Sequence, residues 1–460
     1  MDKLTKNENN KIVLKSGLSF TGLVRNNNHF MLVILMIFSY FYNLPVVGYS
    51  LKGDNELRLY DLLGVFVVFI YSVNFKFYYA IINKVDVFKW LNKFLIWCSL
   101  TLVGTLFFSI FKDKFSVFMQ SVLYLYHFWI FYITSIMLYV ICFNKTKLKL
   151  FIYFILFCSV FSCLIIVLQN FGLIPFLWSD NYYRGYGGFL SGTLGPNKIV
   201  TGMFSLILFV FSVGLFFNKK VSIPKSIIIF VILINLYVLL LSGSRTSYLG
   251  LLVFIAFFAF YRTSGFVFFG TIVGVIFGFF VTTNKDLYDK VDEVVNNRVF
   301  DKIENEEDLQ NARVGELYDD LGAGRNQLSL NYLEYLLNNP EVIPLGLGFN
   351  NRLTKGFSAH NMYLNVIKEL GIVGFILYFG WLINYLLISF NRYKGEALAL
   401  KGLVVSMLVT LFFGEHLYVY RPLFAILGLF LVVVNILIST LHDNEPENVR
   451  YKNRYSNSIL

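Results

Sequence analysis

Stretches of about twenty apolar residues recur along almost the whole chain, and this pattern limits the folds available to it. A helix of about twenty residues is the length that crosses the hydrocarbon core of a bilayer. Of the 460 residues, 57% are hydrophobic and 15% are charged. A water-soluble protein of this size needs more charge on its surface. The sequence therefore predicts an all-α polytopic membrane protein.

Hydropathy divides the chain into about twelve predicted transmembrane helices. The aromatic content of 19% fits this division, because Tyr and Trp favour the membrane interface and many lie near the ends of the apolar stretches. The predicted helices span residues 30–47, 59–79, 90–110, 121–143, 149–170, 198–217, 226–242, 246–261, 264–282, 362–390, 397–414 and 422–441.

The distribution of Lys and Arg predicts how these helices are oriented. Basic residues are concentrated in the N-terminal segment, in every second loop and in the C-terminal segment. The positive-inside rule places such segments in the cytoplasm, so we expect an N-in, C-in topology. The same rule accounts for the net charge of +11 without a nucleic-acid partner.

One predicted exterior loop, between the ninth and tenth helices, is much longer than the others. It is polar and acidic on balance, and loops of this length are usually functional. Leucines at helical spacing predict an amphipathic helix lying over the exterior mouth of the bundle. These leucines are Leu328, Leu330, Leu333, Leu336 and Leu337. The predicted organisation is a cytoplasmic tail at 1–29, helices one to nine within 30–282, the exterior loop with amphipathic helices at 283–361, helices ten to twelve within 362–441 and a cytoplasmic tail at 442–460.

Arg245 lies in a short exterior turn, Ser242-Gly243-Ser244-Arg245-Thr246-Ser247, between two hydrophobic helices. An arginine at membrane depth is costly and usually has an anionic partner. Its planar, permanently charged head group suits a phosphate or diphosphate, and the N-terminus of the following helix favours the same anion. The alternative is that Arg245 only extends to lipid headgroups.

Two further exterior arginines are candidates for the same role. Arg184 lies in a Gly- and Tyr-rich loop, where aromatic faces suit sugar rings, although such a loop can also be purely structural. Arg325 follows Gly322-Ala323-Gly324 and opens the predicted amphipathic helix, where a solvated surface charge is the alternative.

His360 stands where the long loop re-enters the membrane at the start of the tenth helix. A neutral imidazole there could accept a proton from a hydroxyl, because the pKa of histidine is ordinarily near neutrality. The alternative is a structural residue at a helix start. His416, beside Glu415 and with Arg421 in the last exterior loop, is a weaker candidate for the same chemistry.

Several common catalytic motifs are missing from the sequence. It contains no Walker A loop, dinucleotide-binding glycine turn, HExxH motif or paired CxxC, and its four cysteines lie singly within apolar stretches. The exterior pair Asp319-Asp320 is a generic surface pair. We therefore expect no cofactor and no metal. Arginines in place of a metal point to a lipid-linked diphosphate as the partner.

Together, these segments resemble the O-antigen ligase and polymerase superfamily of bacterial envelope polysaccharide synthesis. The likeness is specific over roughly 184–380, where the order of the segments and the large loop before the histidine carry it. The similar segments are Arg184-Gly185 running to Pro196-Asn197, Gly243-Ser244-Arg245-Thr246, Gly324-Arg325, Gly346-Leu347-Gly348, His360-Asn361 to Tyr363-Leu364, and Glu369-Leu370-Gly371 with Gly374.

The resemblance implies a GT-C-like glycosyltransferase of the bacterial inner membrane that works on the periplasmic or exterior side without a metal. Its donor and acceptor would be glycans on undecaprenyl diphosphate, and a chain-length regulator is a further candidate partner. By likeness, Arg184, Arg245 and Arg325 would bind the diphosphate, and His360 would be the general base of an inverting transfer. The weaker candidates within the similar segments are Asn361, Tyr363 and Glu369.

Two reactions fit the resemblance. A polymerase would join lipid-linked repeat units into O-antigen or capsule, and a ligase would transfer the finished glycan to lipid A core. We favour the polymerase because repeat-unit polymerases vary more in sequence and the motifs here lie in unfamiliar surroundings. A flippase or transporter for the same glycan is the alternative from another class, but no internal repeat relates the two halves of the chain. A purely structural scaffold would leave three exterior arginines unexplained.

Overall fold

The computed structural model of the protein is mostly helical. It describes residues 27–43, 45–47, 57–175, 191–195, 197–262, isolated positions between 267 and 292, 325–351, 359–388, 395–418 and 423–443.

The continuous stretches that the structure describes contain fourteen α-helices, which are numbered in chain order. A π-helical segment, Leu423–Phe430, leads directly into the last of them. The helices are α1 Asn27–Phe41, α2 Leu59–Val73, α3 Phe75–Ile82, α4 Asp86–Phe111, α5 Phe115–Ile141, α6 Lys145–Asn170, α7 Lys198–Phe217, α8 Lys225–Leu241, α9 Arg245–Tyr261, α10 Arg325–Asn338, α11 Val342–Leu345, α12 Met362–Leu387, α13 Gly395–Thr410 and α14 Leu431–Asp443.

Five of these helices are long and apolar enough to cross a membrane, and the bent pair α2 and α3 makes a sixth if it forms one span. Four shorter apolar helices accompany them among the described residues. The prediction of an all-α polytopic membrane protein is therefore confirmed, while the count of twelve and the N-in, C-in topology stay predictions. The five long helices are α4, α5, α6, α7 and α12.

The first predicted helix, 30–47, is shorter than the sequence suggested. It ends at Phe41, and Pro45–Val47 forms a short antiparallel pair with Leu57–Arg58. Proline cannot donate a backbone hydrogen bond and disfavours helical geometry in the residue before it, which explains why the helix does not extend to 47.

The second predicted helix, 59–79, is broken at Asn74. The helices on the two sides of Asn74 differ in direction by 88°. The side-chain amide of Asn74 donates to the carbonyl of Ile70 at 2.9 Å. Asparagine side chains compete in this way with the backbone of a continuing helix, so a single residue within an apolar stretch was enough to end it.

The tenth predicted helix, 362–390, is also interrupted, at Gly371, where φ is +68° and ψ is −172°. Because the helix is broken there, backbone carbonyls before the break can accept other partners. The carbonyls of Lys368 and Glu369 accept hydrogen bonds from the N–H groups of Leu347 and Gly348, each at 2.9 Å. The segments Gly346-Leu347-Gly348 and Glu369-Leu370-Gly371 thus pack against each other. We call this pair of segments the joint.

This joint lies inside the helical bundle. The hydroxyl of Thr105 in α4 donates to the carbonyl of Phe349 at 2.7 Å. A Cβ on Gly348 would lie 2.4 Å from the backbone nitrogen of Thr105, so only glycine allows this approach. The indole of Trp97, near the middle of α4, donates to the carbonyl of Leu370 at 2.8 Å. The stretch around 346–351 therefore re-enters the bundle beside α4 and α12.

The helix predicted from the leucine spacing is present as α10, but its packed face differs from the prediction. Tyr332 and Leu336 are buried, whereas Leu330, Leu333 and Leu337 are exposed. The packed face is therefore centred on Tyr332 and Leu336, and the periodicity of the leucines identified the helix without identifying that face.

We expect Gly371→Ala to lower the stability of the protein. Alanine at this φ is strained, and its Cβ would lie 2.4 Å from the carbonyl oxygen of Pro344. Strained backbone of this kind costs about 1–3 kcal/mol, so the apparent Tm in detergent should fall measurably. Gly270→Ala is the matched control, because nothing lies within 4 Å of its Cβ position. Equal Tm values for the two variants would contradict the role of the joint.

Candidate functional site

The turn before α9 consists of small residues, which allow it to pack in close contact with α7. Gly243 adopts a left-handed φ of +60°. Ser244 caps α9, because its side-chain oxygen accepts from the N–H of Ser247 at 3.4 Å and from the hydroxyl of Ser247 at 2.8 Å. A Cβ on Gly202 of α7 would lie 2.5 Å from the Ser247 oxygen. The turn is thus fixed by close contact with α7.

Arg245 is the first residue of α9 and is half-buried. The helix predicted at 246–261 is therefore present and begins one residue earlier, at Arg245. The N-terminus of a helix presents backbone N–H groups and the positive end of the helix dipole. Arg245 and α9 accordingly contribute positive potential at the same place.

Helix α13 packs closely along the start of α9. The hydroxyl of Ser406 donates to the carbonyl of Gly250 at 2.6 Å. A Cβ on Gly250 would lie 3.1 Å from the methyl group of Thr410, the last residue of α13, and 2.6 Å from Leu206 of α7. The first turns of α9, including Arg245, are therefore held between α7 and the C-terminal end of α13.

The same end of α13 holds the segment around His360. The N–H of Met362 donates to the carbonyl of Leu411, directly after α13, at 2.9 Å. His360 is half-buried and lies between the buried residues Ala359 and Asn361. The start of α9, with Arg245, and the segment with His360 therefore both lie at the C-terminal end of α13.

The backbone of His360 has a left-handed φ of +48°. Such a conformation costs a non-glycine residue on the order of 1–3 kcal/mol, and it persists only where the surroundings enforce it. Residues held in this way are concentrated at active sites. The strained backbone therefore favours a functional role for this histidine.

Asn361 and Tyr363 have structural contacts that position the start of α12. The side-chain oxygen of Asn361 accepts from the N–H groups of Tyr363 and Leu364, at 2.9 and 3.3 Å. The hydroxyl of Tyr363 donates to the carbonyl of Leu408 in α13 at 2.8 Å. Its ring stacks on Phe379 with a centroid distance of 4.2 Å. Both residues thus fix the geometry around His360.

Glu369 joins the re-entrant stretch to the last predicted exterior loop. Its carboxylate accepts from the N–H of Asn350 at 2.9 Å and from the hydroxyl of Tyr418 at 2.7 Å. The hydroxyl of Tyr124 in α5 donates in turn to the carbonyl of Tyr418. Glu369 is buried, and its carboxylate holds these two segments together.

His416 differs from His360 in its surroundings. It is fully buried, and its Nε2 lies 3.1 Å from the hydroxyl oxygen of Thr410. An imidazole enclosed in this way is less able to reach a substrate hydroxyl than the half-buried His360. The geometry therefore favours His360 over His416 as the base.

Three of the predicted arginines are not placed by these contacts. Arg184 and Arg421 lie outside the described residues. Arg325 is the first residue of α10, and its side chain is also outside the description. Their roles stay predictions.

A buried polar cluster between α2 and α5 was not predicted from the sequence. Nε2 of His127 contacts Oδ1 of Asp61, and both side chains are buried. Oδ2 of Asp61 accepts from the N–H of Arg58 at 2.8 Å. The ring of Tyr60 packs edge-on against His127 with a centroid distance of 5.3 Å. His127 lies near the middle of α5, so the start of α2 lies level with the middle of that helix.

This cluster is connected to the segment that follows the Arg184 loop. The guanidinium of Arg58 donates to the carbonyl of Asn43 at 2.8 Å, and the N–H of Asn43 donates to the carbonyl of Thr193 at 3.1 Å. The sequence did contain a signal for this cluster, namely ionisable residues inside predicted membrane helices, because such residues are usually functional or paired. Asp61 and His127 both fall within predicted helices.

Within the described part of the chain, no three His, Cys, Asp or Glu side chains are grouped so that they could hold a metal ion.

Residues 228–379 match the family described as O-antigen ligase. The matched stretch runs from within α8 to within α12, so it contains Arg245, Arg325, His360 and Glu369. Among curated proteins, none matches the chain significantly. The resemblance to the O-antigen ligase and polymerase superfamily is thereby confirmed.

Proposed function

We propose that this chain, which carries an O-antigen ligase family domain at residues 228–379, polymerises undecaprenyl-diphosphate-linked oligosaccharide repeat units into O-antigen or capsule. In this proposal the protein is a glycosyltransferase of the inner membrane with its active site on the exterior side. The observation that carries the proposal is that the first turns of α9, which begins at Arg245, and the segment around His360 both contact the C-terminal end of α13. Arg245 and His360 both belong to the matched stretch.

The proposed reaction requires a base and a cation in the same place. His360 takes the proton of the acceptor hydroxyl while that oxygen attacks the anomeric carbon of the donor glycan. The bond from that carbon to the diphosphate oxygen breaks, and the lipid diphosphate leaves with the electron pair. Attack from the side opposite the leaving group inverts the anomeric carbon. A base with a pKa near neutrality suits this proton transfer.

Arg245 has the role of the cation. Negative charge develops on the departing diphosphate, and a preorganised guanidinium with a helix N-terminus stabilises that charge more in the transition state than in the substrate. Arg184 and Arg325 are proposed to complete the diphosphate site. The close seating of the turn on Gly202 supports this role, because it fixes the backbone from which Arg245 extends.

Ligase activity is the second candidate, and the description of the matched family favours it. In that reaction the same donor chemistry applies, but the acceptor hydroxyl belongs to lipid A core. The groups around Arg245 and His360 would serve both reactions equally well.

We expect His360→Ala to abolish transfer while leaving the protein inserted and folded. Purified protein in liposomes would receive only an undecaprenyl-diphosphate-linked repeat unit, and the products would be separated by size. The wild-type protein should give a ladder of lengthening lipid-linked glycans. Loss of a general base typically lowers the rate about 10²–10⁴-fold. His29→Ala, which alters a half-buried histidine at the start of α1, is the control and should keep the ladder.

The other outcomes of this assay would change either the proposed reaction or the assignment of the base. Transfer only after a lipid A core acceptor is added would replace the polymerase by the ligase. Neither product, together with movement of the lipid-linked glycan across the bilayer, would replace both by a flippase. A full ladder from His360→Ala would remove this residue as the base.

We expect Arg245→Lys to reduce kcat, because lysine keeps the charge but loses the planar, two-pronged hydrogen bonding to phosphate oxygens. A reduction of about 10²–10³-fold is typical when one transition-state donor is removed. Arg262→Lys is a matched control, since Arg262 directly follows the opposite end of the same helix, against the ring of Phe217. Unchanged kcat in Arg245→Lys would support a simple contact with lipid headgroups instead.

A further inference from the structure

Helix α10 exposes a row of leucines that the packing of the protein leaves uncovered. The exposed fractions are 57% for Leu330, 43% for Leu333 and 68% for Leu337. On a helix, positions spaced by three and seven residues fall within a sector of about 60°. The three side chains therefore form one continuous apolar stripe, which we call the leucine stripe.

The other two sectors of α10 have different characters. Tyr332 and Leu336 are buried, and the hydroxyl oxygen of Tyr332 lies 3.4 Å from Nζ of Lys368 in α12. Glu334 and Asn338 are exposed on the far side of the leucine stripe from the buried face. The helix thus has one face against protein, one apolar exposed face and one polar exposed face. Three exposed leucines on one face are unfavourable if both exposed faces contact water, since leucine prefers an apolar environment.

The buried face of α10 packs near the exposed apolar end of α4. Leu336 packs in a small cluster with Val342 and Leu347, and Phe108 of α4 packs against the same cluster. Around Phe108, the end of α4 exposes three large apolar side chains, and α4 is one of the five helices able to cross a membrane. These three side chains are Phe107, Ile110 and Phe111. Helix α10 therefore packs, through this cluster, beside the end of a helix that is able to cross a membrane and exposes apolar side chains.

We propose that α10 is an interfacial helix whose leucine stripe is inserted into the exterior leaflet of the bilayer. The partner is the lipid itself. A helix lying at the membrane surface presents leucines to the acyl chains and polar residues to water, and α10 adds a third face that fixes it to the protein. This location differs from that of a lid lying over the mouth of the bundle.

The position of α10 also bears on His360. The hydroxyl of Ser329 donates to the carbonyl of Ala359, the residue directly before His360, at 3.0 Å. A helix fixed at the level of the lipid headgroups would hold His360 near the phosphates of a lipid-linked substrate. This consequence rests on the proposed function, whereas insertion of the leucine stripe does not.

Spin labels report the depth of single residues in a bilayer. Cysteine would be introduced singly at Leu330, Leu333 or Leu337, with Glu334→Cys and Asn338→Cys as matched controls on the polar sector. The native cysteines are all buried, so an introduced exposed cysteine reacts selectively; the protein without an added cysteine gives the background. The labelled proteins would be reconstituted into liposomes of phosphatidylglycerol and phosphatidylethanolamine. Accessibility to oxygen, which concentrates in lipid, would be compared with accessibility to a water-soluble nickel complex.

The expected result is that labels at the three leucine positions collide more with oxygen than with nickel, while both controls show the reverse. Equal nickel accessibility at leucine and control positions would overturn the proposal in favour of an aqueous lid. Labels at the leucine positions shielded from both reagents would also overturn it, in favour of contact with a second protein. The measurement needs no turnover, so the same result in His360→Ala protein separates this proposal from the proposed function.

Discussion

The break in α12 at Gly371 is the constraint on which the rest of the site depends. A bilayer offers no water to satisfy exposed backbone groups, so a broken helix at membrane depth must find partners within the protein. Here the carbonyls before the break are bonded by the N–H groups of Leu347 and Gly348 and by the indole of Trp97. The break and the re-entrant stretch therefore require each other, and each would be unstable alone.

The same joint organises the residues that surround it. Glu369, two residues before the break, binds both Asn350 and Tyr418, so the re-entrant stretch and the last predicted exterior loop share one carboxylate. The segment from His360 to the start of α12 is attached at one side to α13 and at the other to α10. His360 thus has a fixed backbone in a strained conformation, as its proposed role as a base requires.

The sequence predicted the features that depend on local pattern. Apolar stretches identified an all-α membrane protein, the end of the turn rich in small residues located the start of α9 to within one residue, and leucine spacing located α10. It did not predict the break at Asn74, because one side-chain bond to Ile70 leaves the average hydropathy of the stretch almost unchanged. It also did not predict the contact of Asp61 with His127, since these residues are far apart in the chain and only packing brings them together.

A structure of the protein with undecaprenyl diphosphate bound would test the proposed shared site of Arg245 and His360 most directly. We expect phosphate oxygens within hydrogen-bond distance of the Arg245 guanidinium. We also expect the imidazole of His360 to face the space where the first sugar of a donor would lie. A diphosphate bound elsewhere in the bundle, with Arg245 directed to the lipid headgroups, would contradict it.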